Sequence, residues 1–171
     1  MQRSIAYNID ILRRIDELLC QLTDAELAQS RPLLFGSSIG EHLRHILEFY
    51  TCLLGRGRAD HFSYDRRQRD PAIEREVAAA RASVARSIGL LTETHSDTEL
   101  LLVSELPGSN EEHMQRTCLA RELTYLADHG VHHLAMVRIT LVQELPHVSY
   151  PQELGVAAST RNHQARQAAN A

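Results

Sequence analysis

The chain has 171 residues, a net charge of −4 at pH 7 and 43% hydrophobic residues, values that fit one globular domain large enough to bury a core. The slightly acidic balance argues against nucleic acid or an anionic membrane surface as a partner. Aromatic residues make up 5% and tryptophan is absent, so aliphatic side chains must fill the core, which favours packed helices.

The cysteines and the N-terminal sequence bear on the cellular compartment. Cys20, Cys52 and Cys118 are an odd number without CxxC spacing, which excludes a disulfide framework. The first residues, MQRSIAYNID, contain no apolar stretch typical of a secretory signal, and no run of about 18 apolar residues predicts a membrane span. We therefore expect a cytoplasmic protein with no membrane partner.

Two helices are predicted in the first third of the chain. The first runs from about Ser4 to Leu22, with apolar residues recurring along one stripe. The second begins at Ser38, because Ser38 and Glu41 have the spacing of a capping box, and it ends at Gly55. Residues 56–70 are polar and aperiodic, which predicts a loop.

Two further helices are predicted on either side of a change in pattern. Asp70 and Pro71 open the third helix, which the apolar spacing extends to about Leu91. Residues 98–117 form an apolar run, a Pro-Gly turn and a polar run, which favours a short β-hairpin. A helix is the alternative there, because Leu, Glu and Met are poor strand formers. The last long helix runs from about Cys118 to Leu145.

The expected architecture is all-α, a four-helix bundle with the hairpin inserted before its last helix. Residues 1–160 form this single domain, and residues 161–171 are expected to be a polar, disordered tail.

The sequence DHGVHH in the last helix carries the strongest chemical signal. His129 and His133 are four residues apart, so both imidazoles project from one face of the helix, as paired metal ligands often do. They border the apolar stripe that includes Leu126 and Val137, whereas His132 points away from it. The alternative is that these are ordinary helix histidines satisfied by hydrogen bonds.

A second histidine pair favours the metal site. The sequence HLRH places His42 and His45 on the second helix, and two histidine-bearing helices of a bundle can converge on one ion. Periodicity alone puts His42 slightly nearer the apolar stripe than His45, and it does not decide which of them is the third ligand.

Three neutral imidazoles suit a divalent ion, with Zn²⁺ or Ni²⁺ preferred and Fe²⁺ or Mn²⁺ as alternatives. Three protein ligands leave a position open for water or substrate, which is typical of catalytic sites. An ion there would lower the pKa of a bound water or hold a substrate thiol as thiolate.

Several charged residues are candidates for supporting roles. Residues 64–69, together with Arg56 and Arg58, offer positive charge for an anionic substrate group, although a solvated loop is the simpler interpretation. Glu122 lies on the same side of its helix as His129 and is the favoured carboxylate for orienting a ligand.

Two carboxylates of the second helix have simpler explanations. Glu41 and Glu48 lie beside His45 on the helical wheel and could orient its ring or act as a general base. Helix capping accounts for Glu41, and a surface position for Glu48.

The segments SSIGEHLRHILEFY and RELTYLADHGVHHLAMVRI resemble the DinB/YfiT-like superfamily of bacterial metal-binding four-helix proteins. The family pattern on the second helix aligns with Ser38, Ile39, Glu41 and Ile46. In that alignment the family histidine falls on His45, and the closing H-x-x-x-H falls on His129 and His133. The resemblance therefore implies His45, His129 and His133 as the metal ligands, in a bundle of up-down-down-up type with a long crossover.

Family members include thiol-dependent S-transferases and isomerases that use bacillithiol or mycothiol. The resemblance thus implies a metal-dependent transferase or hydrolase acting on a small electrophile, with a low-molecular-weight thiol or another small molecule as partner. A homodimer is one candidate for the assembly. The alternative is a non-catalytic metal-binding stress or scaffold protein.

Overall fold

The computed structural model describes residues 1–57, 59–108 and 111–169, most of them helical. The helices are α1 Gln2–Leu19, α2 Asp24–Ala28, α3 Ile39–Leu54, α4 Pro71–Arg75, α5 Val77–Thr92, α6 Leu119–Glu144 and α7 Ala158–Ala169. A 3₁₀ turn, Pro32–Leu34, and three short strands, β1 His61–Phe62, β2 Glu99–Glu105 and β3 Glu112–Cys118, complete the described elements. None of the described helices combines the length and the hydropathy that crossing a membrane requires.

The first turn of α3 is fixed by the capping box that the sequence predicts. The Ser38 hydroxyl accepts a hydrogen bond from the Glu41 amide at 3.0 Å, and the Glu41 carboxylate accepts one from the Ser38 amide at 2.7 Å. Two amides that the helix leaves unpaired are thereby satisfied. This start sets the rotation of α3, and hence the direction in which its histidines project.

The third predicted helix is interrupted, which corrects the prediction of one helix from Pro71. Glu76 adopts an extended conformation, with φ −123° and ψ 115°, and separates α4 from α5. The Val77 amide donates to the Asp24 carboxylate at 2.8 Å, so a side chain from α2 caps the new start. The break allows α4 to lie against α3 while α5 packs against both α1 and α3.

The approach of α4 to α3 depends on a glycine. A Cβ atom added at Gly40 would lie 2.0 Å from the carbonyl oxygen of Glu74, which is too close for any side chain. The Glu74 carboxylate also forms an ion pair with Arg44 of α3, whose Nε atom lies 2.7 Å from a carboxylate oxygen. Backbone contact and ion pair together hold the two helices in one position.

The four long helices, α1, α3, α5 and α6, bury the core between them. α1 packs against α5 and α6, and α3 packs against the same two helices. Aliphatic side chains dominate this core, as the composition predicts. Its fully buried members include Leu12, Ile15, Leu19, Leu43, Leu47, Leu53, Leu91 and Leu123.

A buried polar cluster ties three of these helices together. Asn8 of α1 is fully buried, accepts a 2.6 Å hydrogen bond from the Tyr50 hydroxyl of α3 and donates to the Leu123 carbonyl of α6 at 2.9 Å. The Tyr50 side chain is itself fully buried, and burial raises its pKa, so the phenol remains a donor.

Replacing Tyr50 with phenylalanine should destabilise the protein by about 1–3 kcal/mol, because the Asn8 oxygen is left buried without a donor. Urea denaturation would measure this. Tyr150→Phe is the matched control, since that half-buried phenol has no hydrogen-bond partner among the described residues, and we expect a change within about 0.5 kcal/mol. Equal stability of the two variants would contradict the role given to the cluster.

The predicted hairpin is present, and the helical alternative for residues 98–117 is wrong. β2 and β3 pair antiparallel, with Glu99 opposite Cys118 and Glu105 opposite Glu112. β1 adds a parallel pairing to the other edge of β2, inside the segment that the sequence predicts as loop. A two-residue strand is too short to produce a detectable pattern.

The C-terminal segment differs from the expected disordered tail. Residues 158–169 form α7, which buries none of its side chains, and the Arg161 guanidinium lies 5.5 Å from the centre of the Tyr7 ring. Alanine, glutamine and arginine are strong helix formers, so a helix forms here without an apolar stripe. Residues 170 and 171 of the predicted tail lie outside the described residues.

Candidate metal centre

Three histidine side chains meet where α3 packs against α6. His45 comes from α3, and His129 and His133 come from α6. The ring centres lie 4.9 Å apart for His45 and His129, and 4.6 Å apart for each of the other two pairs. One ring nitrogen from each residue lies within 4.8 Å of the other two, so the cluster could hold a metal ion.

The sequence brings these rings together by helix geometry and close packing. Residues four apart on α6 lie one above the other, which aligns His129 with His133. Gly130 sits between them at the crossing with α1 and α3. Its Cβ position would lie 3.5 Å from a methyl of Ile11 and 3.7 Å from one of Ile46, so both neighbouring helices pack closely around the pair.

One atom of the cluster calls for a partner. The Nε2 atom of His129 is buried and has no hydrogen-bond partner among the described residues. A buried polar atom without a partner costs about 1–3 kcal/mol, so native structures rarely leave one unexplained. Because this nitrogen belongs to a histidine of the three-histidine cluster, a metal ion bound to its lone pair is a chemically suitable partner.

Burial keeps the three imidazoles neutral. Loss of hydration lowers the pKa of His45 to about 4 and that of His133 to about 3, and it also lowers the pKa of His129. Mutual repulsion between the charged forms of the three rings acts in the same direction. Near neutral pH each ring therefore offers a lone pair, which metal binding requires.

An aromatic wall closes one side of the cluster. Phe49 of α3 stacks on His129 with ring centres 4.5 Å apart and an interplanar angle of 15°. Tyr64 stacks on the other face of Phe49 at 4.5 Å, and Tyr125 lies 5.6 Å from His129. These rings fix the orientation of His129 and keep water from that side.

The opposite side opens to solvent through a cleft of about 250 Å³, which we call the entrance. Its lining residues are Ser37, Glu41, His42, Arg44, His45 and His133. A small molecule would therefore approach the cluster along the edge between His45 and His133.

His42 lies outside the three-histidine cluster but contacts one of its members. Its Nδ1 atom is 2.9 Å from the Nδ1 atom of His133, within hydrogen-bond distance. His45 is the residue of the HLRH pair that joins the cluster, whereas His42 contacts it from outside. His132, which the sequence excludes, is exposed.

Buried Glu48 and partly buried Arg67 form an ion pair beside His45 that the sequence does not predict. Glu48 is 3% exposed rather than on the surface, and it accepts hydrogen bonds from Arg67 at 3.2 Å and from the Asp70 amide at 2.9 Å. The Arg67 guanidinium also lies 3.2 Å from Nδ1 of His45. In the sequence, the feature that points to this ion pair is the density of charged residues in the segment 64–69.

Two other arginines named as candidates for binding an anion, Arg66 and Arg56, are engaged elsewhere. Arg66 pairs with Glu112 at 2.6 Å and with Glu105 at 3.5 Å. Arg56 donates to the carbonyl of Leu53. Arg58, named with them as a candidate for binding an anion, lies outside the described residues.

Glu122 does not contact a histidine of the cluster, contrary to the role that its spacing predicts. It is fully buried and accepts hydrogen bonds from the Tyr64 hydroxyl at 2.9 Å, the Thr117 hydroxyl at 2.6 Å and Arg121 at 2.9 Å. Its role is to anchor Tyr64, which stacks on Phe49.

A larger cavity, of about 670 Å³, is lined by residues around Cys118 and Arg116 and by no histidine of the cluster.

Comparison with known proteins gives a family. A family model described as the DinB superfamily matches residues 10–137, a span that contains His45, His129 and His133. No curated protein and no solved structure matches this chain. The match covers well over half of the sequence and confirms the resemblance carried by the motifs around His45 and His129. This chain belongs to the DinB superfamily.

Proposed function

We propose that this protein binds one divalent metal ion through His45, His129 and His133. The observation that carries the proposal is the meeting of three neutral imidazoles, one of which, His129, has a buried Nε2 atom with no hydrogen-bond partner among the described residues. Zn²⁺ and Ni²⁺ are the ions that three imidazole ligands suit best, with Fe²⁺ and Mn²⁺ as alternatives. The family match supports the same three residues, since all lie within the matched span.

The fold that we propose around this ion is the four-helix bundle of the family, built from α1, α3, α5 and α6. The packing of α1 and α3 against both of the other two long helices supports this arrangement. β1 and α4 would then belong to the connection between α3 and α5, and β2 and β3 to the connection between α5 and α6.

We further propose that the site is catalytic, in a thiol-dependent transfer or a hydrolysis that acts on a small electrophile. A bound divalent ion supplies Lewis-acid chemistry, lowering the pKa of a water or thiol in its open position. The chain contributes the rest. Phe49 and Tyr125 exclude water behind His129, and the entrance admits a small molecule along the edge between His45 and His133.

The second candidate is a non-catalytic metal-binding protein. Both carboxylates nearest to His45 along α3 are already engaged, Glu41 in the helix cap and Glu48 with Arg44 and Arg67. Neither is free to act as a general base, which favours binding without turnover.

Metal analysis tests the proposed site, and a screen for turnover separates the enzyme from the binding protein. We expect chelator-stripped protein to take up one Zn²⁺ or Ni²⁺ per chain and His45→Ala to lose that uptake. Full occupancy in both His45→Ala and His133→Ala would refute the site.

Low-molecular-weight thiols should then be screened with electrophiles and activated esters. Turnover by the metal-loaded protein above the stripped form supports the enzyme, and equal rates support the binding protein.

A further inference from the structure

Two of the three proposed ligands differ in what their Nδ1 atoms contact. His133 faces another histidine, whose ring can accept a hydrogen bond, whereas His45 faces an arginine, which can only donate one. We propose that His42 and Arg67 set the metal affinity of the site in opposite directions, with His42 strengthening binding and Arg67 weakening it. This inference rests on the proposed metal site and concerns its regulation.

The contact of His42 holds His133 ready for an ion. The two Nδ1 atoms are 2.9 Å apart, so one of them must carry the proton and the other must accept it. When His133 carries the Nδ1 proton and His42 accepts it, the Nε2 atom of His133 has a free lone pair. Metal-binding histidines generally donate their second ring nitrogen to an acceptor in this way, which fixes both tautomer and ring orientation. In the proposed arrangement His42 is that acceptor.

The contact of Arg67 has the opposite effect. A guanidinium has no lone pair to offer, so the 3.2 Å contact requires that Nδ1 of His45 is the acceptor and that Nε2 carries the proton. If an ion takes Nε2, the proton moves to Nδ1 and faces another donor. If the ion takes Nδ1, the lone pair that Arg67 used is gone. Whichever nitrogen the ion takes, this hydrogen bond is lost.

Arg67 is held in this position by its other contacts. Its Nε atom donates to Glu48 at 3.2 Å, one terminal nitrogen donates to the Tyr64 carbonyl at 3.1 Å, and its guanidinium carbon lies 5.4 Å from the centre of the Phe49 ring. The side chain is 15% exposed, so water does not easily replace the partner that it loses. Its positive charge beside the site also repels a divalent cation. Hydrogen bond and charge therefore both lower the affinity.

Opposite signs distinguish this proposal from general damage to the site. We would titrate stripped protein with Zn²⁺ against a chromophoric chelator at one fixed pH. His42→Phe keeps a ring but removes the acceptor, and we expect roughly 10–100-fold weaker binding. His42→Asn should recover most of that loss, because an amide oxygen can accept the same hydrogen bond. Arg67→Met should bind roughly tenfold more tightly, and Arg67→Lys, which keeps the charge, should lie between Arg67→Met and the wild type.

Independent readouts separate the contacts from the metal. Histidine ¹⁵N spectra of the metal-free protein should show His45 with its proton on Nε2, and this preference should weaken in Arg67→Met. Thermal unfolding of every variant checks that the fold is kept. Absence of Zn²⁺ binding by the wild type would overturn the proposed function and this inference with it. Binding by the wild type with both His42→Phe and Arg67→Met weakened, or both unchanged, would overturn this inference alone.

Discussion

Replacing His129 with alanine should reduce Zn²⁺ affinity by more than 100-fold. The loss of a ligand removes more binding energy than the loss of an outer partner, which typically costs 10–100-fold. His129 is the sharpest test of the site because its buried Nε2 atom has no hydrogen-bond partner among the described residues. Alanine is a strong helix former, so α6 should persist, and circular dichroism would verify this. Competition titration with a chelator measures the affinity.

The matched control is His132→Ala on the same helix. His132 is exposed and is not one of the three clustered histidines, so its loss should change the affinity by no more than about threefold. If His129→Ala and His132→Ala bound the ion equally well, the ion would have to be held elsewhere.

Replacing Gly40 with alanine should destabilise the fold by about 3 kcal/mol, at the upper end of the cost of overpacking a core. The added methyl would meet the oxygen, carbon and Cα atoms of Glu74 at 2.0, 2.7 and 2.9 Å. These are backbone atoms, so no side-chain rotation relieves the clash, and α4 would have to move away from α3. That movement also breaks the ion pair between Glu74 and Arg44. Chemical denaturation measures the effect.

Gly89→Ala is the control for this change. Gly89 lies within α5, and a Cβ atom there would have no neighbour within 4 Å. The substitution should stabilise the protein by about 0.5–1 kcal/mol, because alanine loses less backbone entropy than glycine in a helix. A destabilised Gly89→Ala, or an unaffected Gly40→Ala, would contradict the packing described for α3 and α4.

The features that the sequence predicts correctly are those governed by local rules. The capping box at Ser38 and the cap of α4 at Asp70 involve groups within three residues of one another. The alignment of His129 with His133 follows from the helical repeat alone. Such features need no knowledge of neighbouring elements.

The features that the sequence does not predict depend on contacts between distant segments. The break at Glu76 relies on a carboxylate from Asp24, and the burial of Glu48 relies on Arg67 and the amide of Asp70. Periodicity could not show which of His42 and His45 joins the histidine cluster, because this depends on how α3 packs against α6. The two contacts proposed to tune the site, at His42 and Arg67, are also of this kind.

The placement of the histidines on α3 and α6 has a consequence for how the protein is made. His45 leaves the ribosome roughly 80 residues ahead of His129, an interval of about 4–16 s at common rates of synthesis of 5–20 residues per second. During that interval the emerging chain carries one of the three clustered histidines. His129 and His133 then leave the ribosome almost together, because they are four residues apart. His45 comes next to them when α3 and α6 pack. An ion held as proposed would therefore be acquired only after α6 has been made and has packed against α3.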